Sequence, residues 1–315
     1  PSTAPISTVD NVIYTLTDNI IGNVPKDLSA IIIQRSNIII DGGGHTVEGA
    51  RASYSQGFYL RDLTNVTIQN VNIKHFWFGI WLRRSSNNSI HRNNLITNSW
   101  NGILLSHSSN NNSIYGNNMT ENSWAGIQLE RSSNNSIFEN NIVNNGHCGI
   151  YILYSSYNNI FGNNVTESWP TLDYGGISLD ESSHNTISRN NVTDNNIGIW
   201  LRRSSDNIIY HNRFVNNTRQ VWILNATNTW DDGYPSGGNY WSDYETRYPD
   251  AAEIDNSGIW DTPYFIDENN QDDYPTIKPT GTLDQYWRMT FIVIIAFSVI
   301  LSMIVLILFK KRKKW

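Results

Sequence analysis

The chain has 315 residues, a formal net charge of −6 with histidines neutral, 16% charged and 12% aromatic residues, 21 glycines and one cysteine. A lone cysteine, Cys148, excludes an intramolecular disulfide framework. No basic stripe runs along the sequence, which excludes a nucleic-acid partner.

In chain order, residues 1–29 carry "YTLTDNI" and read as an N-terminal strand or cap. From Ala30 the sequence repeats: "AIIIQRSNIIIDGGGHTVEG", then "GFYLRDLTNVTIQNVNI" from Gly57, then clearer copies opening at Gly79, Gly102, Gly126, Gly149, Gly176 and Gly198. The stretch "GIWLRRSSNNSIHRNN" at 79–94 returns as "GIWLRRSSDNIIYHNR" at 198–213. Within each copy apolar residues alternate, as in Ile80 and Leu82, which is the two-residue period of a half-buried strand. A second apolar position follows a Ser-Ser-Asn turn, at Ile90, Ile114, Ile137, Ile160, Ile187 and Ile209. A unit of ~23 residues with such short strands cannot bury its own apolar face, so neighbours must stack. The expected fold is all-β, a parallel β-solenoid of about eight coils over residues 30–227. Asn94, Asn118, Asn141, Asn164 and Asn191 recur once per coil, where stacked amides can hydrogen-bond from coil to coil.

The repeat G-I-x-L-x-x-S-x-N-x-I-x-x-N-x, with its preceding "IIIQRSNIIIDGGGHTVEG", resembles the NosD-like right-handed parallel β-helix family, within the wider carbohydrate-binding and sugar-hydrolase solenoids. The stretch "GGNYWSDYETRYPD...GIWDTPYFIDENNQDDYP" from Gly237 to Pro275 is similar to the closing module of archaeal, membrane-anchored members. The resemblance implies a right-handed β-helix. It also raises copper-enzyme maturation as a role, since the family takes its name from maturation of a reductase's copper site.

Residues 1–228 hold 14 basic and 15 acidic residues, whereas 229–285 hold 2 basic and 13 acidic ones. The acidic module, 228–285, therefore suggests metal binding or plain solubility. Its "EIDNSGIWD" resembles a shortened calcium loop with Glu253, Asp255, Ser257, the Ile259 carbonyl and Asp261 as oxygen ligands and Gly258 at the sharp turn. Ser257 stands where a carboxylate or Asn is usual, and Tyr264 where a bidentate Glu is usual. An acidic turn without an ion is the alternative.

Residues 291–309 carry no charge and are followed by "KKRKK" at 310–314. At ~1.5 Å per residue such a span nearly crosses a bilayer core, and the positive-inside bias places the tail in the cytoplasm. The expectation is a transmembrane α-helix within 286–315, with Tyr286 and Trp287 at the interface, anchoring an extracellular ectodomain in the cell membrane. Nine sequons accord with export and with glycosylation at some of them: Asn65, Asn87, Asn111, Asn118, Asn134, Asn164, Asn191, Asn216 and Asn225.

Differences between copies carry the candidates for function. Trp77, Trp100 and Trp124 share a column with His147 and Tyr174, and stacked coils turn such a column into a ring ladder. With Trp77, Trp100, Trp124 and Tyr174 as its platform, the ladder suggests carbohydrate binding; self-stacking that stabilises the solenoid is the alternative. Glu130 and Asp180 fall two coils apart, ~10 Å, just beyond the range for an inverting pair, so no catalytic constellation is evident. His91, His107, His184, His211, Met119 and Cys148 lie in different columns, which does not favour a copper ladder. The leading expectation is a surface recognition or envelope-structural protein binding an extracellular glycan or a neighbouring surface protein, with lateral self-assembly open. A polysaccharide lyase, hydrolase or epimerase and an accessory to copper-enzyme maturation are the alternatives.

Overall fold

The computed structural model describes residues 5–168 and 174–278. The apolar segment 291–309 and its basic tail lie outside the described residues, so the expected anchor does too. Among the described residues no helix is long and apolar enough to cross a membrane.

Three parallel sheets wind around one core, giving an all-β solenoid of right-handed type with about ten turns instead of the eight expected. One coil shows the plan: Ser89–His91 in sheet A, Asn94–Ile96 in sheet B, then Asn101–Ser106 in sheet C. Each strand pairs in parallel with its counterparts one coil before and after. The first coil already begins at Ile13–Leu16, which joins sheet A, so residues before Ala30 take part in the winding. At the other end Arg219–Leu224 adds a ninth strand to sheet C.

The alternating apolar positions point inward, as the period requires. Ile90, Leu95, Ile103 and Leu105 of one coil are completely buried, and the same columns repeat through Ile114, Met119, Ile127 and Leu129. The repeat glycine sits where no side chain fits: a Cβ on Gly79 would approach the Gly102 carbonyl oxygen to 2.6 Å.

The corners are held by buried asparagines. Asn93, Asn117, Asn140, Asn163, Asn190 and Asn212 form one ladder, in which Asn140 Nδ2 donates to Asn163 Oδ1 at 2.9 Å and to the Ile114 carbonyl at 2.9 Å. Its Oδ1 accepts both the backbone N–H and Nδ2 of Asn117, so the group is fully paired although buried. Equivalent buried ladders run through Asn88, Asn112 and Asn135 and through Asn98, Asn122 and Asn145. The column anticipated from sequence also stacks, in sheet B, with Asn118 Nδ2 donating to Asn94 Oδ1 at 2.8 Å and Asn141 Nδ2 to Asn118 Oδ1 at 2.7 Å.

The acidic module closes the C-terminal end. Trp241 stacks between Phe214, at 4.6 Å, and Tyr264, at 4.2 Å, with Trp230 also fully buried beside it. These rings replace the next coil as cover for the core, as a terminal repeat must.

Candidate functional site

The outer face of sheet C is where the coils differ most. Its central column runs Tyr59, Trp81, Leu104, Gln128, Tyr151, Ser178, Trp200 and Trp222 in register. A flanking column runs Arg61, Arg83, Ser106, Glu130, Leu153, Asp180 and Arg202. Arg83 and Arg202 lie over the Trp81 and Trp200 rings at 6.0 and 5.6 Å, within cation–π range.

On the other flank stands the expected ladder. Trp77 and Trp100 stack at 5.3 Å with 6° between planes, and Trp100 and Trp124 at 4.7 Å with 2°. Tyr54 covers the free face of Trp77 and His147 that of Trp124. The rings are half-buried, and because their faces meet each other they present edges to solvent. Tyr174 leaves the stack and meets Trp124 edge-on at 67°. With Trp124, Tyr174 packs on Ala125, Cys148 and Tyr151. Burial pushes the Cys148 thiol up, the state of an unreactive, packed cysteine.

At the far end the geometry differs. Trp200 and Trp222 stack at 5.1 Å and 6°. Arg219–Leu224 is the last strand of sheet C, so the second face of Trp222 meets no further ring among the described residues. Trp222 is half-buried, and Trp200 is the one ring it stacks on among the described residues.

The carboxylates of this face are tied down separately. Asp180 is 2% exposed and receives Arg202 through Nε at 2.8 Å and through Nη2, and the hydrogen bond to Asp180 raises the guanidinium's already high pKa. Glu130 pairs with Arg131 at 2.8 Å. Leu153 separates the two carboxylate positions, which do not form a facing pair.

The histidines lie apart, as their columns imply. His91 stacks on Tyr115 in sheet A at 4.7 Å, and burial lowers its pKa. His184 stacks on Tyr157 at 5.1 Å, and His211 Nε2 lies 2.9 Å from the Ser236 carbonyl. Met119 is fully buried in the core. Among the described residues no group of three or more His, Cys, Asp or Glu could hold a metal ion.

In the 253–261 turn the oxygen groups serve the backbone. Glu253 Oε1 accepts the Gly258 N–H at 2.7 Å, Asp261 Oδ1 accepts the Ala252 N–H at 3.0 Å, and Ser257 donates to the Ile254 carbonyl. Ile259 is buried, its N–H hydrogen-bonded within the turn, and Asp255 adopts a left-handed φ of 47°. These contacts make an antiparallel turn closed by the Glu253–Trp260 bridge, with the Glu253 and Asp261 carboxylates engaged separately.

The sequons fall in two kinds of position. Asn65, Asn87, Asn111, Asn134, Asn216 and Asn225 are exposed turn residues with left-handed φ. Asn118, Asn164 and Asn191 are strand residues whose amides bond along the sheet B ladder.

Sequence reading missed a second ring ladder. His91, Tyr115, Phe138 and Phe161 stack on the outer face of sheet A at 4.7 to 4.9 Å. The signal was present one residue after each repeat isoleucine.

The arrangement as a whole defines a class: a parallel β-helix with one sheet face rich in rings and guanidinium groups. Its sequence places it more narrowly, because the profile of the family described as periplasmic copper-binding protein (NosD) matches residues 6–169 and 149–246, and the chain belongs to that family. A search of curated proteins returns no match. Among solved structures, the periplasmic alginate epimerase AlgG is similar over 72% of this chain and 78% of its own, with 15% identity and a TM-score of 0.53. The Dettilon tailspike protein is similar over 73% of this chain and 58% of its own, at 16% identity and a TM-score of 0.55. At such identities the likeness is one of fold.

Proposed function

We propose that the chain is a carbohydrate-binding surface protein whose glycan lies along the outer face of sheet C. The observation that supports this reading best is the half-buried Trp222 indole, which ends the ring stack on Trp200, the ring that the Arg202 guanidinium overlies. A flat ring face takes the apolar face of a pyranose, while guanidinium groups donate to hydroxyl or carboxylate oxygens. The edges of Trp77, Trp100 and Trp124 border the same surface. An enzyme acting on alginate shares the fold, which accords with a saccharide ligand without specifying one. A screen of the purified chain against an oligosaccharide array tests the proposal; absence of binding to any saccharide would reject it.

The same reading places the solenoid outside the cell, anchored through 291–309 with the basic tail in the cytoplasm. It puts glycans on the exposed turn sequons and leaves Asn118, Asn164 and Asn191 bare, because a glycan on their Nδ2 would break the ladder. Mass spectrometry of the chain from its native membrane should find occupied sites among the turn sequons. Occupancy confined to the ladder sequons would contradict it.

A further inference from the structure

The sheet A ladder has a missing rung. In register its column reads His91, Tyr115, Phe138, Phe161, Ser188 and Tyr210, so a hydroxymethyl group stands where a ring would continue the stack. Phe161 has one face on Phe138, at 4.9 Å and 5°, and its other face looks toward Ser188. At ~4.8 Å per coil, Phe161 and Tyr210 are ~10 Å apart along the axis, room for one ring between two rings. A cavity of about 510 Å³ occupies this place, with Ser188 buried at its floor.

The walls are polar and accessible. Tyr157 is 61% exposed and stacks on His184, forming one side. Arg189 is exposed at the other and makes no ion pair or side-chain hydrogen bond among the described residues. The corner column of Arg189 holds Gly162 one coil before it, which leaves the guanidinium uncovered on that side. Glu139 is the nearest acid in that column, two coils off, and Asp206 follows His184 in its own column.

We propose that this cleft binds one pyranose ring of a carboxylate-bearing sugar, stacked on the open face of Phe161 with its carboxylate at Arg189. The flat ring completes the ladder, and the guanidinium takes the carboxylate in the bidentate geometry that suits it. Asn159 and Thr186 offer the amide and hydroxyl that sugar hydroxyl groups require. The cleft lies on a different sheet from the indole face of Trp222, so the two surfaces are separable although both take a sugar.

Calorimetric titration of the full chain with a galacturonic acid tetrasaccharide and with its neutral galactose counterpart tests the cleft. The acidic sugar should bind, and the neutral one at least about tenfold more weakly, as for loss of a charge-assisted hydrogen bond. Ser188→Phe, which fills the rung, should abolish binding while keeping the melting temperature at or above that of the wild type. Arg189→Asn, whose side chain tolerates the left-handed φ of 55° at this position, should remove the preference for the acidic sugar. The same titrations in a Trp222→Ala background, which removes sugar held at sheet C, isolate the heat of the cleft and should show the same preference and the same loss with Ser188→Phe. Undiminished binding by Ser188→Phe, or no binding of the acidic sugar by the wild type, would overturn the proposal.

Discussion

Trp100 and Trp124 lie 4.7 Å apart with only 2° between their rings, so the indole of each covers a face of the other. Trp77 covers the second face of Trp100, and a sugar therefore has no flat surface to stack on there. The ladder's energetic weight falls on the fold. In a solenoid, where each coil contacts only its neighbours, loss of one rung is felt at two interfaces.

Trp100→Ala should accordingly destabilise the chain by about 2 kcal/mol, through lost apolar burial and two lost ring stacks. Chemical denaturation measures this directly. Saccharide affinity of the folded variant should change far less than in Trp222→Ala, whose ring stacks on one neighbouring ring only.

The corner amides set a second expectation. Removing the Asn140 side chain strands the buried backbone N–H of Asn117 and takes one acceptor from its Nδ2, which keeps the Ile90 and Tyr115 carbonyls. Asn140→Ala should therefore cost about 3 kcal/mol, more than a typical surface change, read as a drop in denaturation midpoint. Asn141→Ala, one residue on and half-exposed to exposed along its ladder, should cost markedly less.

Legibility in the sequence follows from which constraints leave a period. The inward Ile and Leu columns and the glycine column were readable because each recurs at one place per coil. The last coil escaped the count because Gln220 occupies the glycine position beside Gly198, in the strand that carries Trp222. Stacking of the Asn94 column was readable too. That Asn93, its neighbour, is the buried corner amide was not, because adjacent asparagines look alike until the chain's turn assigns one inward and one outward. The ring faces were equally hidden: a column of tryptophans fixes their spacing but not whether their faces point along the axis or toward solvent.

Asp272 carries a pH signature. It is fully buried, and burial pushes its carboxyl up to about 7, while N–H donors from Asn239, Trp241 and Tyr274 partly hold it down. A folded-state value above the unfolded one means the folded chain holds the extra proton between about 4 and 7. Its contribution to stability is then full below that window and is lost as pH rises through it. Buried His91 and half-buried His147, whose values are lowered by burial, act in the opposite sense as pH falls. Comparing wild type with Asp272→Asn isolates the carboxyl: the stability difference between them should vary across this window and level off on either side.

In the closing module, Asp261 joins the Ala252 N–H and the Thr262 hydroxyl. Asp261→Ala should lower the module's stability by about 1–2 kcal/mol through loss of hydrogen bonds to a charged group. If calcium binds through Glu253, Asp255, Ser257, Ile259 and Asp261, millimolar calcium should raise the wild-type melting temperature and leave the variant's unchanged. If the carboxylates serve only the turn, calcium should shift neither. Thermal melts with and without calcium separate these outcomes.

In the proposed function sheet C holds a saccharide against Trp222. Its most direct test is the affinity of wild type and Trp222→Ala for the best oligosaccharide found on an array, measured by calorimetry on the full chain. The variant should bind about 1–3 kcal/mol more weakly with an unchanged fold, on the scale of a lost aromatic contact. Equal affinity in the two proteins would contradict the assignment of the glycan surface to sheet C.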